Sequence, residues 1–109
     1  MQYLWFFLAG LFLWNGIPHL VKGITGQTHM TPFKRVSSPF LNVVYAFINL
    51  VISLFMLGLA GGTGGFVWPW EVSFVGLNTW AFLAGCLFIS LADANLFSNP
   101  NARLPWQKN

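Results

Sequence analysis

Three long apolar runs, separated by two dissimilar polar connections, set the pattern of this chain. They extend from Tyr3 to Val21, Phe40 to Ala60 and Phe74 to Ala92, and Leu, Phe and Val dominate each. None shows the alternation of a barrel strand. Each approaches the ~20 apolar residues that a helix needs to cross a hydrocarbon core about 30 Å thick, where only a helix or a closed barrel satisfies its own backbone. The pattern predicts an all-α integral membrane protein: one domain over 1–109, spans at about 3–21, 40–60 and 74–92, an inner loop 22–39, an outer loop 61–73 and an inner tail 93–109. The first connection, with Gly23, Gly26, Pro32 and Pro39, is expected to be irregular and close to the headgroups. The second, Gly61-Gly62-Thr63-Gly64-Gly65, is expected to be a flexible turn, and Pro69 breaks any helix before the last run. The tail from Asn95, with Pro100 and Pro105, is expected to be an interfacial coil anchored by Phe97, Leu104 and Trp106.

Polar positions inside the runs break the apolar pattern, and each needs a partner that lipid does not supply. In the second run Asn42, Tyr45, Asn49 and Ser53 recur at spacings of 3, 4 and 4, which places them on one helical stripe. That stripe faces protein or water, either as helix–helix glue or as the lining of a path. The third run carries Asn78, Ala81, Gly85 and Ala92 on one face, with Ala81 and Gly85 in the small-x-x-x-small spacing that allows close backbone approach. Thr79, Cys86, Ser90 and Asp93 share another face. Near the end of the first run, Asn15, His19 and Lys22 line one side. Pro18 there has no N–H to give to the carbonyl of Trp14 and leaves that oxygen available. The uninterrupted run Tyr3 to Trp14 rises only about 18 Å at 1.5 Å per residue, so Asn15 falls within the bilayer and His19 near its inner boundary, at a depth similar to Asp93.

Composition agrees with a membrane. The 109 residues are 56% hydrophobic and 6% charged, with a mean hydropathy of +0.64, against roughly 25% charged for a soluble domain. Charge then supplies direction. Lys22, Lys34 and Arg35 lie in the first connection and Arg103 and Lys108 in the tail, whereas the second connection has Glu71 and no base. The positive-inside bias predicts an exterior N-terminus and a cytoplasmic C-terminus in the inner or plasma membrane. Trp5, Trp68 and Trp70 belong to the outer aromatic belt and Trp106 to the inner one. The net charge of +3 fits attraction to anionic headgroups rather than to nucleic acid. The first run lacks a basic n-region and a small-x-small site, so it reads as a retained anchor. Cys86 stands alone, which leaves no disulfide framework or cysteine-based metal site. No metal is expected, no lysine lies mid-span for a retinal-type attachment, and no haem motif occurs; no cofactor is indicated.

Candidate chemistry concentrates at His19 and Asp93, with Asn15 and His29 nearby. A carboxylate beside an imidazole holds its tautomer and raises its basicity, which suits a general base or proton relay. Pro69-Trp70-Glu71-Val72-Ser73-Phe74 resembles the Pro-x-Glu-x-x-Phe element of the small three-span lycopene cyclase subunits. That resemblance implies Glu71 as a proton-donating acid in cyclisation of a carotenoid end group, although the family's second acid is replaced by Val72. Leu11-Phe12-Leu13-Trp14-Asn15-Gly16 also resembles the opening span of small DoxX-type membrane proteins, in composition alone. Three helices are too few to enclose a deep cavity within one chain. The first reading is therefore a non-enzymatic membrane subunit that self-associates or joins another membrane protein, using Asn42, Tyr45, Asn49, Ser53, Asn78 and Gly85. One alternative is an oligomeric channel or transporter for a small solute, lined by Asn42, Asn49, Asn15 and His19. The other is a membrane enzyme doing acid–base chemistry on a lipophilic ligand through His19 and Asp93, or Glu71.

Overall fold

A computed structural model describes residues 2–62, 65–98 and 104–107. Thr63, Gly64, Pro100, Arg103 and Lys108, which entered the loop, tail and charge expectations, lie outside the described residues. The protein is mostly helical, with α1 at Gln2–Ile24, α2 at Pro39–Ala60 and α3 at Leu77–Phe97. All three are long and apolar enough to cross a membrane. α1 lies in the middle and packs against both α2 and α3.

Each helix begins and ends for a local reason. Ser38 caps α2 by accepting from the Leu41 amide at 3.1 Å, and Pro39 sits where its missing N–H costs nothing. α2 stops at Gly61, and Gly62 continues with φ +76°, in the left-handed region that glycine tolerates. Pro69 opens a short 3-10 turn, Pro69–Glu71, and Gly76 at φ +54° turns the chain into α3. α3 starts three residues later than the apolar run and continues to Phe97. Asp93 therefore lies a full turn inside the helix, and Phe97 is its last residue rather than part of a coil.

The first connection is not irregular throughout. It forms an antiparallel hairpin of two short strands, β1 at His29–Thr31 and β2 at Lys34–Ser37. Side chains hold the bend. Ser37 Oγ donates to the Lys34 carbonyl at 2.8 Å, so the Thr31 hydroxyl donates to Ser37, also at 2.8 Å, and accepts from the Phe33 amide. The tail returns to this hairpin: Trp106 Nε1 donates to the Pro32 carbonyl at 2.8 Å, and Gln107 Nε2 donates to the Thr31 carbonyl at 2.5 Å.

The two ends of the bundle are held differently. Toward the Trp-rich loop, Phe6, Ala9, Leu57 and Val67 form an apolar core extended by Phe74 and Phe82. Close helix contacts there depend on glycine. A Cβ on Gly10 would collide with the Phe82 carbonyl, and one on Gly85 with the Phe7 carbonyl. At the hairpin end α1 and α2 approach closely at Gly16 and Gly23 and are joined in addition by polar side chains.

Candidate functional site

The α2 stripe turns inward, toward α1. Asn42, Asn49 and Ser53 are essentially without solvent contact. Ser53 Oγ donates to the Ala9 carbonyl at 2.7 Å. One turn closer to the hairpin, Asn49 Nδ2 donates to the Tyr45 carbonyl, and Asn49 Oδ1 accepts from Asn15 Nδ2 at 3.2 Å. The same Asn15 amide reaches the Tyr45 hydroxyl at 3.3 Å.

Asn42 determines the state of His19. Its Nδ2 faces three carbonyls, those of His29 at 3.0 Å, Ser37 at 3.2 Å and Ser38 at 3.1 Å. Its orientation is thereby set, and Oδ1 must face His19 Nδ1, 2.9 Å away. An amide oxygen only accepts, so Nδ1 carries the proton. In the neutral ring Nε2 is then a bare acceptor, with no hydrogen-bond partner among the described residues. One asparagine thus ties both strands of the hairpin, the start of α2 and the tautomer of a buried histidine.

The His19 ring lines a cavity of about 140 Å³ together with Asn15, Tyr45, Asp93 and Phe97. The hairpin and tail close it through Met30, Thr31, Pro32 and Leu104. Tyr45 meets the histidine edge-on at 4.6 Å between ring centroids. Asp93, half-buried, makes no hydrogen bond to any described residue. It also lines a second space of about 250 Å³ between α1 and α3, whose other walls are Trp14, Ile17, Pro18 and Ser90. A third cleft, walled by Leu13, Leu20, Phe47 and Leu50, is almost wholly apolar and offers little to orient a ligand.

His29 packs at a tilt of 50° against Phe97, 4.2 Å between ring centroids, and lies 5.0 Å from His19, with its Nε2 buried and unpartnered among the described residues. Burial first, then the nearby His19 ring and Lys22 ammonium, pushes its pKa down to about 4. No group of three or more His, Cys, Asp or Glu side chains is placed to hold a metal among the described residues.

The structure brings Asn15, His19 and Asp93 to one cavity and sets His29 beside it. Glu71 lies at the other end of the molecule, where it accepts from the Trp68 amide at 3.4 Å. Asn78 is also at that end, bonded to Gln2 and the Ser73 carbonyl. Tyr45, assigned from its spacing to packing, supplies a hydroxyl to the cavity. Phe97, Met30 and Thr31 were not singled out as site residues. Phe97 follows Asp93 by four residues, a usable signal once α3 is taken past residue 92. The chain matches no family model, no curated protein and no solved structure.

Proposed function

We propose that this chain is a multi-pass membrane protein that works as an enzyme, doing acid–base chemistry on a lipophilic substrate in the His19 cavity. One observation carries the reading: a histidine held as the Nδ1–H tautomer, its Nε2 bare, shares a cavity with an uncommitted carboxylate. In that arrangement Nε2 takes a proton from a substrate hydroxyl or activated C–H. Asp93 stabilises the imidazolium that forms, and the Tyr45 hydroxyl donates to the oxygen left behind. The hairpin carries Lys34 and Arg35, and Lys22 lies in the last turn of α1, so the positive-inside bias favours this end at the cytoplasmic face.

The alternative readings have less to stand on. A subunit held to its partners by Asn42, Asn49, Ser53 and Gly85 would need those residues at its surface, yet they pack within one chain. The outward faces, such as Trp80, Leu83, Leu87 and Leu91 on α3, are apolar and suit lipid. A solute path along the α2 stripe meets the same difficulty.

The test is untargeted mass spectrometry of membrane lipid extract incubated with the protein in nanodiscs. A compound consumed and a product formed by the wild type, but by neither His19→Ala nor Asp93→Asn, is the expected result. No change with the wild type, or a conversion that persists in both variants, overturns the reading.

A further inference from the structure

Asp93 lines both the cavity at His19 and the groove between α1 and α3, each of them partly open to the surface. The two spaces therefore adjoin at one carboxylate, and they differ in character. The inner one sets the rings of His19, Tyr45 and Phe97 and the hydrogen-bonding groups of Asn15 and Asp93 against apolar Met30, Leu96 and Leu104. The outer one has Trp14 and Ile17 on its rim, 43% and 42% exposed on the apolar surface of the bundle. A ligand that fills both has a compact polar head and an apolar tail, and it enters sideways from the bilayer.

The head can be specified further. At about 140 Å³ the cavity is close in size to the roughly 150 Å³ engineered cavity that accepts benzene. His19, Tyr45 and Phe97 offer ring faces and edges for an aromatic guest. The cavity's uncommitted polar groups include two acceptors, His19 Nε2 and the Asp93 carboxylate, against one donor, the Tyr45 hydroxyl. A head that donates a hydrogen bond is therefore favoured over a ketone or an ester. The Tyr45 hydroxyl in turn needs an oxygen to donate to, which a hydroxyl provides and an ammonium does not.

We infer that the ligand of this site is a single-ring phenol bearing a hydrocarbon tail, its hydroxyl between His19 and Asp93 and its tail leaving between α1 and α3. This rests on the acid–base reading of the cavity and adds the substrate class and the route of entry. Ser90 donates to the Cys86 carbonyl at 2.7 Å, so it forms part of the groove wall and does not compete for the hydroxyl.

Competition in nanodiscs tests it, with isotope-labelled 4-methylphenol as the head-only probe and 4-octylphenol as the tailed one. In the wild type, 4-octylphenol should displace the methylphenol and octylbenzene should not. Ile17→Trp, on the exposed rim, or Ser90→Leu should weaken 4-octylphenol about tenfold, equivalent to ~1.4 kcal/mol, and leave 4-methylphenol unchanged. Methylphenol binding without displacement by octylphenol overturns the sideways groove. Equal displacement by octylbenzene, or stronger displacement by octylamine, overturns the phenol assignment. Failure of both phenols to bind overturns the ligand class and leaves conversion of the lipid extract as the separate test of the site. Methylphenol binding unaltered in His19→Leu would count against the acid–base site itself.

Discussion

The two ends of this small bundle solve the same problem by different means. At the Trp-loop end, α1 meets α2 through apolar side chains and α3 through glycine-permitted backbone contacts as well, and few polar atoms are buried. At the hairpin end, α1 and α2 also approach closely at Gly16 and Gly23, but the contact adds a run of hydrogen bonds through Asn15, His19, Asn42, Tyr45 and Asn49. The first end is limited by volume, because a close-packed interface accepts neither a void nor an extra methyl group. The second is limited by hydrogen-bond satisfaction as well, and it leaves His19 Nε2 and the Asp93 carboxylate without hydrogen-bond partners among the described residues. A bundle that needed only to hold together would need no such remainder.

The sharpest way to break the comparison is at the glycines. Gly85→Leu should cost about 3 kcal/mol or more, because the new side chain meets the Phe7 carbonyl rather than a movable side-chain tip. Thermal unfolding in mild detergent should show little folded protein, and a near-normal melting temperature would show that the end is not limited by volume. Asn42→Leu attacks the other end. It removes the side-chain donor to the His29 and Ser37 carbonyls and the acceptor of His19 Nδ1 at once, while the Ser38 carbonyl keeps the backbone N–H of residue 42; each buried unsatisfied group costs about 1–3 kcal/mol. Structural relaxation should reduce the net loss to about 3 kcal/mol. Unlike the glycine variant, it should also release the His19 tautomer.

Acidification gives a smaller effect confined to the hairpin. His29 has a folded-state pKa of about 4, below its ordinary 6.5. As pH falls from 6.5 toward 4, the unfolded chain takes up a proton that the folded chain refuses, so stability falls across that window and stops falling below it. The wild type should lose more stability across this range than His29→Gln does, in paired melts. Equal losses would mean that the ring is not held neutral. Ser53→Ala should have the least effect. It removes one hydrogen bond, to the Ala9 carbonyl, at the boundary between the two ends. About 1 kcal/mol is expected, measured by the same melts, and no change would mean that a neighbouring donor replaces the hydroxyl.

What could be read from the residues follows the range of the interactions. Three helices were legible because apolar runs of this length report on local conformation and environment together. The α2 stripe was legible as needing partners, since its spacing is a property of one helix. Its occupants were not, because Asn15 and His19 reach it from another helix. The hairpin was hidden for the same reason. His29–Thr31 and Lys34–Ser37 are too short for strand propensity to register, and they are tied by Asn42, on the next helix, and by Gln107, distant in sequence. Asp93 was placed at a helix end because the apolar run stops at Ala92; the helix continues because Phe97 has aromatic partners in His19 and His29.

Asn42 holds His19 with its proton on Nδ1 and leaves Nε2 bare toward a cavity shared with Asp93. Nitrogen-15 NMR of histidine-labelled protein in nanodiscs, at a pH where both rings are neutral, measures this directly. The account predicts a protonated Nδ1 and an unprotonated Nε2 for His19, with that preference lost in Asn42→Leu and the Nε2 resonance moving when 4-methylphenol is added. A proton on Nε2 in the wild type would contradict it.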